Sequence, residues 1–272
     1  MVQAHPDPSI LLQRARSGDD AALEELLAAV QPQLYRFSMR MCQQPQDAEE
    51  VLQNSMLAMA RSIREFRGGS SLSTWLYSIA RNFCIKQRRK RKGEPQHHQS
   101  LHGPDGELRA HIPHPAPDPS AQVESMEAWQ QIHLAILKLP PDFREALVLR
   151  DVEGLTAKQA AEVVGISVPA LKSRLHRARA DLRALLSDQP YRPAAGCPDI
   201  RRVFSEHLEG DLSKDVCTIL EAHVGQCTSC ATECDGLKEA LNLCSNAPCE
   251  VPPEVQRDLR AVIQRVLQSP AP

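Results

Sequence analysis

The stretch TAKQAAEVVGISVPALKSRLHRARADLRALL, residues 156–186, constrains the fold of this chain more than any other. Leu171, Leu175, Ala178, Leu182 and Leu185 recur at alternating steps of four and three, which is one face of an α-helix. A shorter helix before it turns Ala160, Ala161 and Val164 inward. Thr156 can cap the first helix, Gly165 permits a tight turn, and Ser167 with Pro169 can open the second. The pattern is a helix-turn-helix. The remaining face carries Lys172, Ser173, Arg174, Arg177 and Arg179, the donors that reading base edges in a major groove requires.

The rest of the chain points the same way. Aromatic residues make up 4%, and the apolar positions are mostly Leu, Ala and Val, a helix-forming set. An all-α protein is expected. At 272 residues the length suits about two domains. No apolar run reaches the roughly 18 residues a bilayer span needs. The start, MVQAHPDPSI, lacks the basic and apolar regions of a signal peptide. A cytoplasmic protein without membrane contact is expected.

The net charge of −2 hides an asymmetry. Residues 193–272 hold 12 acidic and 7 basic groups; residues 1–192 hold 25 basic and 22 acidic. RNFCIKQRRKRK, residues 81–92, carries seven positive charges and no negative one. LKSRLHRARADLR, residues 171–183, carries five against one. One such cluster is as often a solvated helix face. Two in separate segments favour phosphate binding. Seven of nine cysteines lie after residue 196, and in a reducing compartment such clustering points to metal or redox chemistry.

Four sections follow. Residues 9–92 are helical: Val51, Leu52, Ser55, Met56, Met59 and Ile63 are at helical spacing, with Asp47 as expected N-cap and Glu50 three residues on. RGGSS breaks the pattern, and a helix with Leu76, Ile79, Ala80 and Phe83 on its apolar face runs into the basic cluster. Residues 93–124 form a Pro-, Gly- and His-rich linker holding His97, His98, His102, His111 and His114; a solvated linker is favoured over a metal site. Residues 125–190 hold the helix-turn-helix. Residues 191–272 are the acidic, Cys-rich tail, with helices expected near 199–209, near 213–225, after Cys230, and over Val255, Leu259, Ile263 and Val266.

The segments FRGGSSLSTWLYSIARNFC and DAEEVLQNSMLAMAR resemble region 2 of bacterial extracytoplasmic-function (ECF) sigma factors, of the sigma-70 family. LPPDFREALVLRDVEGLTAKQAAEVVGISVPALKSRLHRARADLRALL is similar to their region 4 almost end to end. Two such motifs in order, with a linker between them, cover residues from about 20 to 187. The resemblance implies a region 2 bundle and a region 4 helix-turn-helix. It implies that Asp47, Glu50, Gln53 and Asn54 meet the β′ clamp of RNA polymerase, Asn54 standing where the family has an acidic residue. It implies that the helix with Arg81, Lys86, Arg88, Arg89, Lys90, Arg91 and Lys92 opens and reads the promoter −10 element. Ala170, Lys172, Ser173, Arg174 and Arg177 would serve the −35 element, with Ala170 in place of the commoner Thr. The partners are the polymerase core and promoter DNA. No phosphate-binding loop and no paired-carboxylate signature is present, so the chain is expected not to be an enzyme.

In the tail, Cys197, His223, Cys227 and Cys230 form a Cys-x25-His-x3-Cys-x2-Cys pattern. It resembles the zinc-binding anti-sigma domain, with FSEHLEGDLS in the place of that domain's first-helix segment. Here it is fused to the sigma factor, so no separate anti-sigma protein would be needed. Three thiolates and an imidazole complete a tetrahedral zinc shell with no open position. Cys217, Cys234, Cys244 and Cys249 exceed that need and are candidate sensory thiols, although Cys217 also suits a core, as do Cys42 and Cys84. The surplus is similar to that of the copper- and cadmium-responsive CorE-type sigma factors. Thiolates suit Cu(I), Cd(II) and Zn(II). Metal control of the tail is the preferred expectation. Oxidation of Cys227 and Cys230, expelling zinc and disarming an inhibitory tail, is the runner-up, and a metal-stapled docking module without switching is the third.

Overall fold

The computed structural model describes residues 8–93, 119–187, 191, 193, 195–246 and 251–268. Every element among them is helical, and no strand occurs. In chain order the helices are α1 (Pro8–Arg16), α2 (Asp20–Met41), α3 (Pro45–Ser62), α4 (Leu72–Gly93), α5 (Pro119–Lys138), α6 (Pro141–Leu147), α7 (Ala157–Val164), α8 (Val168–Leu186), α9 (Ile200–Leu208), α10 (Lys214–Gln226), α11 (Thr228–Asn246) and α12 (Pro253–Gln268). A 3-10 turn follows α3 at Ile63–Glu65, and a π-turn follows α6 at Val148–Val152. The five linker histidines lie outside the described residues, and α5 already begins inside the expected linker.

One compact unit holds α1 to α4 together with α12; another holds α5 to α11. The expected tail is therefore divided between the two. In the first unit Asp19 caps α2 by accepting a hydrogen bond from the Ala22 N–H at 3.0 Å. Leu26, Leu34 and Phe37 of α2 meet Val51, Leu52, Met56 and Met59 of α3 and Leu76, Tyr77 and Ala80 of α4 in the core. Each such side chain contributes about 1.5–3 kcal/mol when fully buried. The face of α4 is rotated from expectation: Cys84 is buried, while Ile79 and Phe83 are half-buried. Helix α3 starts earlier than Asp47, with Gln44 as N-cap and Pro45 in its first turn. The fixed φ of Pro45 suits the first turn, where no N–H partner is lost. Asp47 lies in that turn, where its charge favours the helix dipole.

In the second unit Arg144 closes the carboxyl end of α5. Its guanidinium donates to the carbonyls of Ile136 and Leu139, each at 3.1 Å, and to that of Leu137. The helix-turn-helix forms as its caps dictate. Thr156 and Gln159 make a reciprocal capping box, Gly165 adopts φ 76° at the end of α7, and the Ser167 hydroxyl accepts from the Ala170 N–H. Leu171, Leu175, Ala178 and Leu182 are buried; Leu185, expected with them, is 45% exposed. Helices α9 to α11 build a small core of Ile200, Phe204, Leu220, Cys230, Cys234 and Leu237. Helices α9 and α11 also pack on α8.

Candidate nucleic-acid interface and metal centre

Helix α8 presents a face suited to DNA. Ala170, Ser173 and Arg177 are exposed, and Lys172 and Arg174 are half-buried. Arg179, expected beside them, is 2% exposed and aimed inward. It donates to Asp151 at 2.9 and 2.5 Å, to Glu209 at 2.8 Å, and to the hydroxyl and carbonyl of Ser205 at 3.0 and 3.2 Å. The π-turn supplies Asp151 and also Arg150, which pairs with Glu209 at 3.1 Å. Burial disfavours the charge of Arg179, but its two carboxylates outweigh this and hold it protonated.

The partners on α9 and beyond belong to the tail, so the acidic segment is seated on the basic helix. Lys172 pairs with Asp211. His176 Nδ1 lies 2.7 Å from the Ser205 hydroxyl, and burial lowers its pKa from the ordinary histidine value. Arg183 pairs with Glu233 at 3.4 Å. A cleft between α8 and α9 is lined by Lys172, Ser173, His176, Arg177, Arg202 and Glu206. Two of the expected DNA contacts, Lys172 and Arg174, are thus engaged in ion pairs, Arg174 with Asp142 at 3.3 Å.

The four-ligand set expected from spacing is brought together. One donor atom each of Cys197, His223, Cys227 and Cys230 lies within 4.8 Å of every other. Helix α10 carries His223, and Cys227 lies between α10 and α11, whose first turn carries Cys230. The Cys197 and Cys227 sulfurs are 3.8 Å apart, and His223 Nε2 is 3.2 Å from the Cys230 sulfur. Tetrahedral Zn–S bonds of about 2.3 Å place two sulfurs about 3.8 Å apart, so the donors fit such an ion. Hydrogen bonding from the Cys230 backbone N–H lowers the Cys227 pKa, while burial pushes the Cys230 thiol up to about 11. The Tyr191 hydroxyl lies 3.4 Å from the Cys230 sulfur, and burial holds that phenol protonated.

The surplus thiols are placed apart. Cys234 and Cys244 are buried, 3% and 0% exposed, and burial raises the Cys234 thiol to about 11. Their helical register with Cys230 and Leu237 is the signal that marks them as core. Cys217 is half-buried, 3.4 Å from His207 Nδ1. Cys249 lies outside the described residues. In the first unit Cys42 and Cys84 pack with sulfurs 3.9 Å apart.

Helix α3 carries the expected polymerase contacts. Asp47 is buried, and Glu50, Gln53 and Asn54 are half-buried. Gln87 of α4 donates to Asp47 at 3.3 Å and to Glu50 at 2.5 Å. Helix α12 lies along α3 with Leu259 and Ile263 buried, and Val255 and Asp258 line one cleft with Glu50 and Gln53. Of the basic cluster on α4, Lys86, Arg88 and Arg89 are exposed and Arg81 is half-buried; the side chains of Lys90, Arg91 and Lys92 lie outside the described residues.

Comparison with known proteins gives two family matches: Sigma-70 region 2 over residues 26–94, and Sigma-70, region 4 over residues 129–182. Neither extends into the tail. The chain is 34% identical over 167 residues to the ECF RNA polymerase sigma factor EcfG of Rhodopseudomonas palustris (strain TIE-1), covering 61% of this chain and 86% of that one. It is 29% identical over 178 residues to the ECF RNA polymerase sigma factor SigW of Bacillus subtilis (strain 168), covering 65% and 95%. A solved structure, CnrH in complex with the cytosolic domain of CnrY, aligns over 66% of this chain and 97% of that one, at 25% identity and a TM-score of 0.48. The two sigma-70 region matches in this order, with the relatives that share them, mark a transcription initiation factor, and the chain belongs to the ECF sigma factors of the sigma-70 family. It directs transcription by RNA polymerase and is not an enzyme.

Proposed function

We propose that this sigma factor is restrained by its own tail, and that a metal ion held by Cys197, His223, Cys227 and Cys230 governs the restraint. The carrying observation is the seat of the acidic tail on α8, where Glu209, Asp211 and Ser205 occupy Arg179, Lys172 and His176. A duplex phosphate backbone competes with Asp211 for Lys172, whereas Arg179 and His176 face inward and anchor the tail. Released, Ala170, Lys172, Ser173, Arg174 and Arg177 read the −35 element, and the Arg81–Lys92 stretch serves the −10 element. Asp47, Glu50, Gln53 and Asn54 meet the polymerase β′ clamp; α12 covers part of that helix.

The resident ion is zinc, which closes the α9–α11 segment as a structural four-ligand centre. Soft ions such as Cu(I) and Cd(II) compete for the same thiolates and act as the inducing signal. An ion shifts docking only by its different affinity for the docked and released states. The fused tail makes a separate anti-sigma protein unnecessary. The test is transcription in vitro from a cognate promoter, with purified polymerase core and the full chain, across zinc, cadmium, copper and chelator. Chelation raises output, and zinc restores the restraint. Output unchanged across all four conditions overturns the proposal.

One observation favours a second route to the same release. The Cys197 and Cys227 sulfurs, 3.8 Å apart, are close enough for peroxide to join them as a disulfide and expel the ion. Activation by peroxide at fixed metal concentration distinguishes it.

A further inference from the structure

None of the four candidate metal ligands lies on the reading helix, so restraint by the ion needs a physical connection. A continuous chain of contacts within the second unit supplies one. The Tyr191 hydroxyl reaches the Cys230 sulfur at 3.4 Å. The Arg201 guanidinium lies over the Tyr191 ring, 5.1 Å from its centre. The same guanidinium holds Glu233 Oε1 at 2.7 and 2.5 Å. Glu233 Oε2 in turn pairs with Arg183 of α8 at 3.4 Å. Glu233 is 6% exposed, and the Arg183 and Arg201 side chains are 14% and 18% exposed. In such surroundings charge pairs are screened little by solvent.

Two features make the chain directional. Cys230 and Glu233 are three residues apart on α11, so both lie on one face of one turn. Fixing the Cys230 sulfur in a metal shell fixes the carboxylate that grips α8. One turn further on, Gly236 has no side chain where Arg183 passes: a Cβ there would lie 2.5 Å from the guanidinium carbon.

We propose that Glu233 is the joint through which the metal centre holds the DNA-reading helix, with Tyr191 orienting the ligand Cys230 and Arg201 bridging the two. This rests on the assignment of the four-ligand metal centre above. Glu233 and Tyr191 are positioning residues, since neither is a ligand nor part of the face offered to DNA. Removing a hydrogen-bond partner of a metal ligand weakens metal binding by about 10–100-fold. Removing the joint leaves the metal in place and cuts its effect on docking.

The experiment uses the full chain, with zinc affinity read by competition against a chromophoric chelator and docking read by hydrogen exchange of the α9 amides. In the unaltered chain, chelation speeds α9 exchange by about tenfold, within the range of couplings between sites. Glu233→Gln lowers zinc affinity by no more than the coupling of about tenfold that it removes, yet its loaded form exchanges as fast as its stripped form. Tyr191→Phe lowers zinc affinity by about 10–100-fold, while its fully loaded form keeps α9 protected. Protection of the α6 and α7 amides reports an intact fold in each variant. A Glu233→Gln chain that keeps the full metal effect on α9 overturns the joint, and unchanged zinc affinity in Tyr191→Phe overturns the orienting role. If the unaltered chain takes up no zinc, the assignment of the metal centre fails instead, and the joint falls with it.

Discussion

Two segments of one tail hold their neighbours by different physics. Helix α9 and the turn after it are seated through charge: Arg179 of α8 and Arg150 of the π-turn against the Glu209 side chain, 2% exposed, and half-buried Lys172 against Asp211. Helix α12 is seated on α3 through an apolar stripe of Leu259 and Ile263. Its charged edge opposes the contact, because Glu254 and Asp258 face Glu49. Buried ion pairs add little net stability over an apolar core but are costly to break one partner at a time. The α9 seat is therefore specific in register and sensitive to single changes. Apolar contact is non-directional, so the α12 seat is graded and tolerant of register, and the like charges at its edge make it responsive to pH.

Four changes separate the two seats, from the largest effect to the smallest. Cys230→Ala removes one ligand of a centre whose kind contributes about 10–16 kcal/mol of apparent binding energy. Mass spectrometry of the intact chain then finds no bound zinc, and α10 and α11 amides exchange freely while α12 keeps its protection. Equal loss of protection in α12 would break the distinction. Arg179→Ala strands two carboxylates and costs about 3–5 kcal/mol, seen as a lower thermal midpoint of the second unit. Leu259→Ala costs about 2 kcal/mol or more where α12 meets α3, seen as faster exchange in α12 with α9 unchanged.

Glu49→Gln has the smallest effect and the opposite sign. Burial, then the charges of Glu254 and Asp258, raise the Glu49 pKa from the ordinary value. The docked state thus binds a proton more tightly than the released one, so α12 docking strengthens as pH falls from neutral toward the carboxylate range. The protection factors of the α12 amides, corrected for the intrinsic pH dependence of exchange, rise between about pH 7 and pH 5 in the unaltered chain, and Glu49→Gln flattens that rise and increases protection at neutral pH. Loss of protection in α12 on acidification contradicts the like-charge account.

What was legible in the sequence follows the range of the forces involved. Thr156, Gly165 and Ser167 act on their own neighbours, so the helix-turn-helix could be read from spacing alone. The convergence of Cys197, His223, Cys227 and Cys230 could be read because few other arrangements use three cysteines and a histidine at those steps. Arg179 could not. Its position on the helix looks solvent-facing, and the carboxylates that bury it come from residues 28 and 30 positions away. Asp47 lost its place as N-cap to Gln44, because the ring of Pro45 sets a helical backbone from the next residue on. Cys234 and Cys244 drew notice for their chemistry, while their register placed them in the core. The division of the tail between two units was invisible, because it depends on which surface α12 finds.

Gly236 has a consequence for how this chain can change over generations. The contact of α11 with α8 is so close there that a single methyl group would displace the Arg183 guanidinium. Gly236→Ala changes no charge, no proposed metal ligand and no group that faces DNA, and the guanidinium, as the far end of a flexible side chain, swings aside at the expense of its pair with Glu233. A contact of this kind lets selection loosen the proposed restraint by a small step rather than abolish it.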